Sequence, residues 1–575
     1  MARLSLKNGE FERCVSYCDV AIKRLTSRNQ HPTDTEAFYL RGLALIYLSR
    51  DKEAYDTLYR AAWNYNHRSA ALFELACLDS KNGEYKEALL KLDESIGLNK
   101  GHTKAQNLKS AILRLIGDKN AKSLAYENAR DDLLDLFAKI ELSHYEDNSA
   151  DIAQFRLKAE NIIDVAIDYM RAGLYVDALY TLKLADESYP LVHFYRAYLE
   201  NLLGQDSKAS LDMANSLPTG YCFPSRLEDI LVLSYATYQD NAGANANYYL
   251  GCLYYDKFRY SDAAACWQAC VKTDPTHGKA WRNLALYYFD KVGDAASARE
   301  ALENAMLHKN DPRLLLEYEQ LLKNSNCSIE ERLAVYEKYP ELLAQRDDCY
   351  LDKLTMISQT GDFKRAIEMA AKKRFHIYEG GEGKLTKQHA WMHTLYGKEL
   401  CERGLYDEAK KIFDNGVNMP KSYGEAKTFF NQEAHIFYYL AKLYEATDKL
   451  EEAKAAYEEA AIYKAAVSEL SLFRALALIE LGRREEAYEV LDEMLRVADN
   501  FIVNKDLRTY YGVGSPSPMP FEYNIEKNNL RDGHILRAFA LLGYGKAEEA
   551  EASITVARKL DPNDFRIFAF DRIKK

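Results

Sequence analysis

Residues Ala244–Pro275 read ANANYYLGCLYYDKFRYSDAAACWQACVKTDP. Two runs with helical spacing flank the turn DKFRYSDA, and a proline closes the stretch. Small residues stand at Gly251 in the first run and at Ala263 and Cys270 in the second. Two antiparallel helices can approach closely only where side chains are small. A large residue such as Trp267 then fills the space beside them. Proline cannot continue a helix, so Pro275 marks the end of the unit.

The same spacing recurs along the chain. Ala159–Pro190 places small residues at Ala166, Ala178 and Ala185, with Leu182 as the filler. Arg531–Pro562 places them at Ala538, Ala550 and Ala557, with Ile554. Further copies are Glu36–Ala61, Ala70–Ile96, His277–Pro312, Ala390–Gly416, Ala434–Ala460 and Glu469–Met494. Less regular ones are Thr103–Asn128, Leu191–Ser216, Arg313–Pro340 and Asp347–Ala370. A lone helix pair cannot bury its apolar face, and stacked neighbours complete the core. The unit resembles the tetratricopeptide repeat, a helix–turn–helix of 34 residues. The expected fold is all-α, a right-handed α-solenoid of about 13 such repeats with four irregular insertions.

The insertions are Leu133–Leu157, Leu217–Gly243, Lys372–His389 and Ala498–Leu530. Long loops in a compact array are commonly functional or disordered. The second holds LPTGYCFPSR and an extra helix, LEDILVLSYATY. The expected blocks are therefore 1–132, 133–243, 244–371, a Gly-rich loop 372–389, 390–497, an insertion 498–530, and a terminal repeat with its cap at 531–575. NGEFERC at Asn8–Cys14 enters a second helix with few residues before it. Its first repeat thus reads as truncated, as if Met1 were a start inside a longer protein.

Composition excludes several classes of function. The 575 residues carry 76 Lys+Arg against 87 Asp+Glu, a net charge of −11. That balance lacks the footprint of a nucleic-acid binder or of a polybasic membrane-surface protein. No apolar run approaches the roughly 20 residues that span a bilayer, and the opening MARLSLKNGEFERC has no apolar h-region, so no signal peptide is expected there. Ten Cys without a CxxC pair read as reduced thiols. The expected location is cytoplasmic. Cys14/Cys18 and Cys266/Cys270 lie four apart on expected helices and read as buried structural thiols.

Few residues suggest chemistry. EGGEGKL at Glu379–Leu385 fails as a phosphate loop: Tyr378 stands where the first Gly belongs, and Leu385 replaces the hydroxyl residue. His389 and His393 lie four apart on one helix face, a spacing that suits a metal. Ala390 replaces the general-base Glu of a zinc protease, and the pair reads as helix-face histidines beside Trp391. No metal or cofactor is expected. Lys279, Arg282 and Asn283 resemble, in a single repeat, the clamp by which some tetratricopeptide domains hold a peptide carboxylate. Tyr248 and Tyr255 are candidates to face a groove and contact a peptide or a sugar ring.

The segment RFHIYEGGEGKLTKQH is similar to a signature, RFHPWEGGEG, of large bacterial proteins. In these a tetratricopeptide array follows an N-terminal β-sandwich like that of carbohydrate-active enzymes. Arg374, Phe375, His376, Glu379, Gly380, Gly381, Glu382 and Gly383 match, whereas Ile377 and Tyr378 depart. A second element of that family, Pro-x-x-x-Gly-Glu, is met by Pro420, Gly424 and Glu425. The likeness covers most of the chain after Arg226 and implies a possible partner, an N-terminal β-sandwich of the same polypeptide.

The expected function is a non-catalytic scaffold, with a concave groove for a protein or peptide partner or for that N-terminal domain. The alternative is an accessory part of a carbohydrate-active enzyme, its glycan site completed by the EGGEG loop. There Glu379 and Glu382 would be the carboxylates, with His376 and Trp391 as a sugar platform. The binding candidates under either reading are His376, Glu379, Glu382, Lys384, His389, Trp391, His393, Glu425, Tyr248 and Tyr255.

Overall fold

Helices Ala244–Asp256 and Tyr260–Thr273 approach so closely that a Cβ at Gly251 would lie 2.5 Å from Trp267 Nε1. The same pairing recurs sixteen residues apart in other repeats. A Cβ at Gly42 would meet Leu58 at 2.5 Å, and one at Gly397 would meet Phe413 at 2.3 Å. The small positions Ala166, Ala178, Ala185, Ala263, Cys270, Ala538, Ala550 and Ala557 are all buried. Small-against-large contact is therefore the joint of these three helix pairs, as the spacing implies.

The computed structural model describes residues 1–146, 152–154, 158–239, 243–376, 381–425, 433–462, 466–504, 520–521 and 524–574. The described residues are helical with short connections and include no β-strand. None of their helices is long and apolar enough to cross a membrane. Among the described residues most consecutive helices pair, as in Glu36–Tyr47 with Asp51–Ala61 and Ile525–Gly543 with Ala547–Leu560.

Several boundaries differ from the expected ones. Pro190, Pro312 and Pro340 open the following helix as its first residue instead of closing the unit, since the first turn has no use for their missing N–H. The break at 133–157 contains a helix, Leu136–Ser143, buried on every side. Helix Leu227–Thr237 lies where the extra helix was expected. Helix Lys384–Glu402 begins inside the expected Gly-rich loop, straight after Gly383 in the left-handed region (φ +74°). Helix Arg484–Val503 runs past residue 498.

The chain divides into two compact units, Met1–Leu284 and Ala285–Lys575, and the division falls inside the block read as 244–371. In the first unit, repeats far apart in sequence are tied together. Tyr47 donates to Glu228 Oε1 at 2.8 Å, and Arg171 reaches both oxygens of Glu74 at 2.7 and 2.8 Å. Arg259 donates to the Gly9 carbonyl at 3.2 Å. Gly173 (φ +75°) touches the next layer: a Cβ there would lie 2.5 Å from Lys81 Cα.

The second unit closes on itself through its last helix, Phe565–Ile573. Phe568 packs 6.2 Å from Phe363, and Phe565 packs 6.1 Å from Trp391, ring to ring. Just before that helix, Asn563 accepts from Gln359 at 2.8 Å through its carbonyl and donates to the Cys327 carbonyl at 2.6 Å.

Candidate functional site

The two motif elements meet in the second unit. Phe375 N–H donates to the Ser422 carbonyl at 2.9 Å, and Gly383 N–H donates to Glu425 Oε1 at 2.6 Å. Gly424 (φ +67°) lies under the Phe375 carbonyl, which a Cβ would approach to 3.0 Å. The Phe375 ring is buried edge-on between Tyr350 and Tyr423. On the other side Asp347 accepts from His376 N–H at 2.7 Å and pairs with Lys373 Nζ at 2.8 Å. Burial would raise the Asp347 carboxyl, but the Lys373 ammonium and the His376 N–H outweigh it and hold it below its ordinary value.

Residues 373–376 thus form a strap between the start of helix Asp347–Gln359 and the turn 420–425. Beneath it is a cavity of about 20 Å³, room for about one water, lined by Asp347, His376, Glu382, Tyr423 and Glu425 among others. His376 and Glu382 are exposed at its edge, and Lys384 is exposed at the start of the following helix. Glu379 lies outside the described residues, as do Ile377, Tyr378 and Gly380. Glu425 is occupied in fixing the backbone.

His389 and His393 are buried, their rings 4.1 Å apart. His389 Nε2 faces the Asn415 carbonyl at 3.0 Å, so that nitrogen carries the proton, and Nδ1 then accepts from Tyr423 Oη at 3.0 Å. His393 Nδ1 donates to the His389 carbonyl at 2.8 Å. Burial pushes His389 down to about 4; burial and the His389 ring push His393 down to about 3. Both imidazoles are neutral near pH 7, and His389 keeps no lone pair for a ligand. Among the described residues no group of three or more His, Cys, Asp or Glu is placed to hold a metal ion.

Trp391 is 1 % exposed. Its ring packs on His435, Phe473 and Phe565, with centroids 4.6, 5.9 and 6.1 Å away. This corrects its reading as a sugar platform: the helix face that carries it is turned into the core. Tyr248 and Tyr255, half-buried in the first unit, pack beside Trp267 and His277, with Tyr255 5.6 Å from Trp267 and Tyr248 4.7 Å from His277. Of the clamp candidates, Lys279 Nζ donates to the Thr219 carbonyl at 2.8 Å, and Asn283 Nδ2 donates to Cys252 Sγ at 3.6 Å.

The Thr219 contact leads to a feature that the sequence reading passed over. In the loop Thr219–Arg226, Cys222 is buried while Tyr221 is 92 % exposed and Phe223 72 % exposed. The loop is held along its length. Lys257 Nζ donates to the Ser225 carbonyl at 3.0 Å, and Ser225 and Arg226 N–H donate to Asp229 Oδ2 at 2.8 and 2.9 Å. Asp229 is itself fixed by Tyr195 Oη at 2.7 Å. Tyr221 sits in the left-handed region (φ +55°), which a non-glycine residue adopts only when its surroundings require it. The sequence signal was two aromatics flanking a Cys between Gly220 and Pro224.

No family model matches the chain. Among solved structures it is similar to the C-terminal part of a TPR repeat-containing protein from Cytophaga hutchinsonii, with 16 % identity over 53 % of this chain and 94 % of that one, at a TM-score of 0.25. Yeast Tom70 matches with 12 % identity over 88 % and 95 % at 0.26, and a Naa15/Naa10 complex bound to HypK-THB with 13 % over 98 % and 88 % at 0.24. The fold class rests on the chain's own helix pairs. Helix pairs joined by small residues against large ones make each unit an all-α array of repeated helix pairs.

Proposed function

We propose that the chain is a non-catalytic scaffold that binds another protein, and that docking is centred on the Tyr221–Phe223 loop. The observation that carries this reading is the pair of exposed aromatics on a braced, strained loop. Exposed rings cost solubility, and a loop fixed at both ends loses little entropy when it binds. Aromatic anchors commonly dominate protein interfaces. Burial of Trp391 takes away the ring on which the glycan alternative relied.

The narrower likeness to arrays that follow a β-sandwich is also a proposal. The meeting of Glu425 with Gly383, one residue from each motif element, supports it. Under that proposal the strap is a brace of the repeat and His376 and Glu382 are its exposed edge.

The test is affinity capture of partners by the intact chain and by a Tyr221→Ser/Phe223→Ser variant. Each anchor should contribute on the order of 2 kcal/mol to binding, while surface substitutions shift stability by only about 0.5 kcal/mol. The expected result is loss of the captured partner with an unchanged melting temperature. Equal capture by both forms would contradict the assignment.

A further inference from the structure

The first unit holds a second cavity, of about 230 Å³, between the loop before helix Glu36–Tyr47 and the end of helix Asp51–Ala61. Its walls include His31, Pro32, Phe38, Arg60 and Trp63. The His31 and Trp63 rings lie 4.7 Å apart, and Trp63 is 50 % exposed. The Arg60 guanidinium lies over the Phe38 ring at 4.3 Å and makes one hydrogen bond, from Nη2 to the Gln30 carbonyl at 3.3 Å. Among the described residues no carboxylate pairs with it. The rim is fixed from below by Thr35 Oγ1, which donates to the Ala61 carbonyl at 3.1 Å, and by Asn64, which donates to the Thr33 carbonyl.

In a chain of net charge −11, a guanidinium left without an acid beside aromatic walls is selective for one kind of ligand. Stacking on Phe38 orients its remaining donors, and a carboxylate matches that fork. A pocket of roughly 150 Å³ holds a benzene ring, so this one has room for a ring and its acid group. We infer that the cavity binds a monoanionic aromatic carboxylate, its ring among His31, Phe38 and Trp63 and its carboxylate on Arg60.

The probe is phenylacetate, titrated into the intact chain by calorimetry and by Trp fluorescence. Phenylacetamide supplies the ring without the charge, and acetate the charge without the ring. Phenylacetate should bind saturably and at least about tenfold more tightly than either control, because a charge-assisted hydrogen bond is at stake. Arg60→Gln should lose about tenfold and Arg60→Lys less, with the circular dichroism melting curve unchanged in both. Binding of the tripeptide Gly-Gly-Phe acid but not of its amide would identify a peptide terminus as the source. Binding of phenylacetate alone would identify a free metabolite. Equal binding of phenylacetate and phenylacetamide, no saturable binding, or an unchanged affinity in Arg60→Gln would overturn the inference.

Discussion

Trp391→Ala is expected to lower the unfolding free energy of the second unit by about 4 kcal/mol, the range found when a large buried aromatic is removed. The ring is closed in by His435, Phe473 and Phe565, which come from three separate helices, two first helices of repeats and the last helix of the chain. Collapse of the cavity would require all three to move, so relaxation recovers little. Tyr65→Ala, at a tyrosine that is 74 % exposed, should change stability by no more than about 0.5 kcal/mol. Urea denaturation of both variants measures the contrast. Similar small losses for both would mean that Trp391 is not enclosed.

The second large effect concerns a buried charge cluster on three neighbouring helices. Arg332 Nε donates to Glu319 Oε1 at 2.6 Å, and Arg332 Nη2 and Tyr336 Oη reach Asp352 Oδ2 at 3.3 Å each. Arg332 and Glu319 are both buried. Arg332→Gln removes the buried cation that faces both Glu319 and Asp352 and should cost about 3–5 kcal/mol. The pair also gives a pH dependence. Burial and then the Asp352 charge raise the Glu319 pKa, whereas Asp352 is held below its ordinary value by the nearby Lys323 and Arg332 cations despite its burial. A raised folded-state pKa contributes stability below the unfolded carboxylate value and loses it as pH rises through the folded value. Glu319→Gln should therefore flatten the decline in stability between about pH 5 and pH 8, the window above the ordinary carboxylate range. Urea midpoints across that window measure it, and an unchanged slope would show that Glu319 is ionised throughout.

How much of this was legible in sequence depends on how local the determinant is. Gly251 and Trp267, or Ala166 and Leu182, belong to a single helix pair, and their spacing alone places them against each other. The strap was half legible. The motif residues Gly383 and Glu425 could be named, but the Gly-rich run hid the start of helix Lys384–Glu402, whose first turn needs only a left-handed glycine before it. Trp391 was misjudged because an aromatic beside two histidines has the same pattern whether its face turns to solvent or to the core. Contacts such as Tyr47 with Glu228 leave no local pattern, since they join residues 181 apart in sequence. Tyr221 and Phe223 needed knowledge of which side chain of the loop turns inward.

If helix pairs close only because small residues face large ones, Gly251 and Trp267 must be energetically coupled, and a double-mutant cycle on the two measures that coupling. Gly251→Leu should cost about 3 kcal/mol by overpacking, and Trp267→Ala about 4 kcal/mol by leaving a cavity. Together they should cost at least about 1 kcal/mol less than the sum, because the leucine occupies the space the indole leaves. Strictly additive losses, or a Gly251→Leu variant as stable as the parent, would contradict the account.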